Sequence, residues 1–209
     1  MKIDKLLNIL LFPESLYKKI SDKKLTLYLG IIFIGIVDFG FVIADNFKQF
    51  YRGDDQSKII YNISLTIIFT LLLGIIDTLF FSIPLSDLFK RFKKNEKSKL
   101  TDETGNFVKL IKVYMVTHIL ILPAEIATFI MYKNVVNDVN SWLLYVAFFI
   151  DLIIPFWFSA AIARGINAIY DFKPIYKKLV FLATFVWNYL LGYAFSYIIF
   201  NWILKLFKV

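Results

Sequence analysis

The sequence predicts an all-α integral membrane protein, a five-transmembrane-helix bundle with an N-terminal amphipathic interfacial helix. Three observations predict it. Five stretches are long and apolar enough to cross a hydrocarbon core, which takes about 20 residues of helix. Of the 209 residues, 59% are apolar and 19% aromatic, and mean hydropathy is +0.67, whereas a soluble domain is nearer half apolar. The lysines that dominate the net charge of +8 fall mainly between the stretches, where they set membrane orientation.

Residues 1–24 read as a cytoplasmic amphipathic lead-in. Leu6, Leu7, Leu10 and Leu11 form an apolar stripe, and Pro13 starts a second short helix with Leu16, Tyr17 and Ile20 on one face. Lys18, Lys19, Lys23 and Lys24 lie elsewhere. Such a helix lies on an anionic leaflet or serves as a solvated segment that orients the first span. The apolar run from Ile3 to Phe12 is broken by Asp4, Lys5 and Asn8, and no small-residue cleavage site follows it. The first span is therefore expected to act as its own insertion signal.

The spans are expected at residues 25–44, 59–84, 107–132, 142–163 and 179–204, which form one domain over 25–204, with a short outer tail at 205–209. The third is the least apolar, since it holds His118, Pro123 and Glu125. Pro123 is expected to kink it and free a carbonyl. The second and third exceed a core crossing, which implies tilt or interfacial ends. Tyr28, Tyr61, Tyr132, Trp142, Tyr176 and Trp202 lie near span ends, where amphipathic rings prefer the interface. Small residues mark places for close helix approach: Gly30, Gly35 and Gly40 in the first span, Ser159 to Ala163 in the fourth, and Gly192, Ala194 and Ser196 in the fifth.

Charge sets the direction. The lead-in, the basic loop around residues 87–106 (with Lys90, Arg91, Lys93, Lys94, Lys97 and Lys99) and the Arg164 to Lys178 loop carry most of the basic residues. The N-terminus is therefore expected in the cytoplasm and the C-terminus outside. The basic loop is a topology signal or a surface for anionic lipid or an acidic partner. Nucleic-acid binding is not expected, because the basic residues follow the membrane plan.

Cysteine is absent and His118 is the lone histidine, which excludes thiolate chemistry and a multi-histidine metal site within one chain. No complete catalytic motif is present. An enzyme, a cofactor and a bound metal are not expected.

Ionisable residues inside a span cost roughly 2.5–3.5 kcal/mol on insertion scales and usually face the bundle interior. Asp38, His118, Asp151 and Asn188 fall near the midplane at about 1.5 Å per residue, with Glu125 above them. His118 and Glu125, seven apart, share a helical face. Asp77 is placed nearer the cytoplasmic edge, as a partner for Arg164. These residues form either internal polar glue or a pathway for protons, cations or a small solute.

Gly35-Ile36-Val37-Asp38 with Phe41 echoes Gly74-Ile75-Ile76-Asp77 with Phe80, an arrangement that an inverted duplication would leave. Paired Gly-x-x-Asp segments also resemble intramembrane aspartyl proteases. That family's motif needs a second glycine before the aspartate, where Val37 and Ile76 stand here. Proteolysis is therefore not expected.

The layout resembles the Yip family, the Ypt/Rab-interacting five-span membrane proteins. The resemblance rests on the proline-led stretch Pro13-Glu14-Ser15-Leu16-Tyr17-Lys18-Lys19-Ile20, and on Asp151-Leu152-Ile153-Ile154-Pro155-Phe156-Trp157 followed by Ala163-Arg164-Gly165. It implies a non-enzymatic membrane scaffold or adaptor that organises lipid or partner proteins. The Asp-Leu-Tyr-Gly-Pro-type motif of eukaryotic members is missing, so GTPase binding is not implied. Abundant lysine, Ile, Phe and Asn with few arginines point to an AT-rich genome and a bacterial plasma membrane. Expected partners are anionic headgroups at the cytoplasmic face, membrane-protein partners or a second copy of the chain. The alternative function is a small transporter or a proton/cation pathway through the midplane acids, and a third is a subunit of a larger membrane complex.

Overall fold

The computed structural model describes residues 2–53, 55–95, 103–135 and 142–208. Among them every regular element is helical: α1 (Lys2–Leu10), α2 (Glu14–Lys18), α3 (Leu25–Asp45), α4 (Phe47–Tyr51), α5 (Gln56–Asn95), α6 (Glu103–Val135), α7 (Trp142–Tyr170) and α8 (Pro174–Ile198). A π-helical turn (Ile199–Ile203) and a 3-10 turn (Leu204–Leu206) close the chain. Five of these, α3, α5, α6, α7 and α8, are long and apolar enough to cross a membrane. The chain is an all-α membrane protein built as a five-helix bundle.

Polarity is arranged for a lipid solvent. On α5, Ile67, Phe80 and Ile83 are exposed while Asn62 and Ser82 are fully buried. Lipid tails solvate the apolar side chains, and the buried Asn62 finds its partners in other segments of the chain. α3 packs chiefly on α5, α6 on α7, and α7 on α8, while α3 also meets α6 and α5 meets α8. Each spanning helix thus contributes a face to one interior.

Several helices outrun their expected spans. α5 continues through Pro84 to Asn95, so much of the segment expected as a basic loop is helix; residues 96–102 of that loop, with Lys97 and Lys99, lie outside the described residues. At 1.5 Å per residue α5 is about 60 Å long, roughly twice a hydrocarbon core. α6 runs unbroken through Pro123, and α7 continues past Arg164 to Tyr170. Proline is tolerated inside membrane helices because neighbouring groups re-satisfy the freed backbone. Lys109 and Lys112 both lie within the third span. Lys112 snorkels back, its Nζ donating to the Ser21 carbonyl at 2.7 Å, as a long cationic stem permits.

The lead-in docks on protein as well as presenting an apolar stripe. Leu6, Ile9 and Leu10 of α1 are exposed. Tyr17 of α2 is fully buried, and it packs against Gly165 of α7, where a Cβ would stand 2.8 Å from Tyr17 Cδ1. Its hydroxyl donates to the Leu11 carbonyl at 2.9 Å, and burial pushes its pKa up to about 12. The Trp157 indole N–H donates to the Leu10 carbonyl.

The C-terminal segment is folded rather than a free tail. The Asn62 amide donates to the Phe50 carbonyl at 2.9 Å and to the Lys208 carbonyl at 2.8 Å, and Asn62 Oδ1 accepts the Lys208 N–H at 3.0 Å. Phe207 stacks on Phe50 with ring centroids 4.6 Å apart. Val209, the last residue of the expected tail, lies outside the described residues.

Candidate functional site: an acid-lined cavity within the bundle

All five spanning helices line one cavity of about 410 Å³. Asp38 comes from α3 and Asp77 from α5; Tyr114, His118 and Glu125 come from α6; Pro155 and Phe158 come from α7; and Asn188, Gly192 and Tyr193 come from α8. Among the described residues three carboxylates line it, and no lysine or arginine does.

The acids arrive there for local reasons. α3 and α5 cross at Gly35 and Gly74, where backbones touch: a Cβ on Gly35 would lie 1.9 Å from the Thr70 carbonyl oxygen, and one on Gly74 would lie 2.2 Å from that of Ile31. Each aspartate follows its glycine by three residues. Side chains lean towards the N-terminus of their own helix, so on antiparallel helices both carboxylates lean back towards the crossing. One ligand atom from each of Asp38, Asp77 and His118 lies within 4.8 Å of the other two.

Tyr114 holds two of these three residues. Its hydroxyl donates to Asp77 Oδ2 at 2.6 Å. Its carbonyl accepts the Nδ1–H of His118 at 3.0 Å. That bond fixes the neutral tautomer, with Nε2 as a bare lone pair. Rings hold the pair rigid: Tyr114 stacks on Phe81 at 3.8 Å, and His118 meets Tyr114 and Phe158 edge-on at 4.4 and 4.7 Å.

Several acceptors here lack a donor. Asp38 Oδ2, Glu125 Oε2 and Asn188 Oδ1 are buried and take no hydrogen bond from the described residues. The Asn188 amide is turned away, donating to Ser159 Oγ at 3.3 Å. Buried polar atoms are normally satisfied, and acceptors on a cavity wall can take a hydrogen-bond donor or a positive charge.

Of the residues expected to meet, Asp38, His118, Glu125 and Asn188 line the cavity. Asp151 does not. It shares a stripe with Ile154, Pro155 and Phe158 but stands one turn beyond the lining, exposed, where the Tyr132 hydroxyl donates to its Oδ2 at 2.7 Å. Glu125 lies within electrostatic range of both Asp38 and Asp151. The acids thus form a row from Asp151 through Glu125 to the Asp38–Asp77 pair. The expected pair of Asp77 with Arg164 is corrected: Asp77 joins the cavity, and Arg164 donates to Asn8 Oδ1 at 2.6 Å. The expectation took Pro84 as the end of the second span and so placed Asp77 too near the membrane edge. Tyr114 was not singled out; its position four residues before the lone histidine was the available signal.

No protein-family model matches the chain, no curated protein matches it, and no solved structure matches it. The functional reading therefore rests on the site.

Proposed function

We propose that this membrane protein binds a cation in the acid-lined cavity and provides a pathway for it across the bilayer. One observation carries the reading: among the described residues, three carboxylates from three different helices share a cavity with unpartnered acceptors and no basic lining residue. Internal glue would satisfy its own acceptors, whereas these are left open. Acidic side chains inside spans typically mark ion pathways or proton relays, and the row towards Asp151 gives successive stations. Tyr189 and Tyr193, both strongly exposed, stand where the cavity meets the surface of α8.

The test is ion flux into liposomes that carry the purified protein and a pH- or cation-sensitive dye. Flux that falls to the protein-free level with Asp38→Asn or Asp77→Asn supports the pathway. Absence of flux for every ion tried, with folded protein in the bilayer, overturns it.

A second reading has its own support. α5 extends well beyond a membrane core and carries Lys90, Arg91, Lys93 and Lys94 on its final turns. This basic helix end, which packs through Phe89 and Phe92 on Tyr170, Phe172 and Tyr176, suits a Yip-like scaffold or adaptor that contacts anionic headgroups, a partner membrane protein or a second copy. Crosslinking from residues 87–95 tests it: capture of neither anionic lipid nor protein overturns it. In both readings the orientation is N-terminus in the cytoplasm and C-terminus outside, in a bacterial plasma membrane. The lysine distribution supports the orientation, and labelling of single cysteines introduced near each end of this cysteine-free chain tests it.

A further inference from the structure

We infer that the innermost station of the cavity is a divalent transition-metal site, ligated by Asp38, Asp77 and His118, with Asn188 supplying a further oxygen. This rests on the cation-binding reading and narrows it to a class of ion.

The donor set comes first. Two carboxylates and one imidazole offer atoms within 4.8 Å of one another, a spread that a metal closes by drawing its ligands in. The mixture of hard oxygens with one imidazole suits Mn2+, Fe2+ or Zn2+ better than Mg2+ or Ca2+, which prefer oxygen alone.

The orientation of the donors points the same way. Metal-binding histidines commonly donate their second ring N–H to a backbone carbonyl or carboxylate, and ligating carboxylates are themselves hydrogen-bonded. His118 gives Nδ1–H to the Tyr114 carbonyl, and Asp77 accepts from the Tyr114 hydroxyl. One residue thus orients two ligands by engaging His118 Nδ1 and Asp77 Oδ2, so Nε2 and Oδ1 are the atoms that would ligate. Asp77 and His118 are only 4% and 7% exposed, so neither is positioned by solvent. Asp38 Oδ2 is buried without a partner. A lone acidic cluster would lack this outer layer of hydrogen bonds.

Charge selects valence. Two ionised aspartates and a neutral imidazole sum to minus two, and a buried charge is tolerated only when paired. A divalent ion neutralises the set in one step, where a monovalent ion leaves a net negative charge among Phe81, Phe158 and Leu191. Asn188 Oδ1, also unpartnered, adds a neutral oxygen on the α8 side. The cavity leaves room for waters to complete the coordination.

The experiment is Mn2+ binding to the full chain in detergent, followed by calorimetry and pulsed electron paramagnetic resonance. One Mn2+ per chain is expected, displaced by Zn2+ and untouched by excess K+ or by a small organic ammonium ion. The bound Mn2+ is expected to show coupling to one imidazole nitrogen. Asp38→Asn and Asp77→Asn each weaken binding by more than tenfold. His118→Gln removes the nitrogen coupling even where some Mn2+ still binds. Tyr114→Phe keeps the ring stacking and weakens binding about tenfold or more, as loss of an outer-layer partner does. Failure to bind Mn2+ or Zn2+, or bound Mn2+ without nitrogen coupling, overturns the inference. If it fails while Asp38-dependent flux of another cation persists, the pathway reading stands alone; if no cation binds or moves, both fall.

Discussion

Gly35 and Gly74 face each other at the crossing of α3 and α5, so closely that a Cβ on Gly74 would lie 3.1 Å from the Gly35 Cα. This contact sets where Asp38 and Asp77 stand, and through them the shape of the acid-lined cavity. Replacing Gly35 by Ala forces backbone against backbone, because the nearest atom is the Thr70 carbonyl oxygen rather than a flexible side chain. The expected cost is about 1–3 kcal/mol, as for overpacking elsewhere, read as a fall in the thermal midpoint of the detergent-solubilised protein. Gly192→Ala is the control. Its Cβ meets nothing within 4 Å, and the exchange is expected to leave the midpoint unchanged or raise it, by up to about 1 kcal/mol of helix propensity.

Asn62 ties three backbone groups to one side chain. Asn62→Ala leaves those partners without it inside the protein, at a cost of about 1–3 kcal/mol. The effect is expected to be local as well as global: hydrogen exchange should accelerate at residues 204–208 before it does in α6 or α7. Unchanged exchange at the C-terminus would contradict the latch.

The docking of α2 depends on Tyr17 fitting over Gly165. With Tyr17→Ala, the lead-in should come free and trypsin should cut at Lys18 and Lys19 at far lower protease concentrations than in the parent. Cleavage at equal rates would place α2 off the bundle.

Tyr17 also carries a pH signature. Its pKa is raised by burial to about 12, against an ordinary value near 10. A raised folded-state value means that the neutral form is favoured in the fold. The contribution is present in full below about pH 10 and is lost as pH rises through about 12. In an ultraviolet titration, the difference between the parent and Tyr17→Phe should therefore be one tyrosine that ionises late. A single ionisation near pH 10 in that difference would show the hydroxyl in water.

The architecture was legible because lipid imposes a coarse rule. An apolar run of sufficient length must be a helix, since no water is available to satisfy its backbone. Span ends were less legible. Pro84 looks like a stop signal by soluble-helix rules, yet α5 passes through it. That error displaced Asp77 towards the membrane edge and suggested Arg164 as its partner. The repeated Gly-x-x-Asp was visible in the sequence, but its meaning needed the fact that the two glycines touch. Asp151 shows the converse limit: helical phase placed it on the correct stripe of α7, while one turn of height separates it from the lining. The Tyr114–Asp77 bond and the hydrogen bonds of Asn62 depend on neighbours brought in from other segments, and no pattern within one segment encodes those.

The convergence of the first two spans on a shared carboxylate pair is the claim on which the site depends, and the absence of native cysteine allows a direct measurement. In the Asp38→Cys/Asp77→Cys double variant, a short bifunctional maleimide is applied in membranes. Trypsin then cuts the connection between α3 and α5 at Lys48, Arg52 or Lys58. The account predicts that the two fragments stay joined only after the reagent is added and only when both cysteines are present. Fragments that separate completely under those conditions, from protein whose thiols have reacted singly, would contradict it.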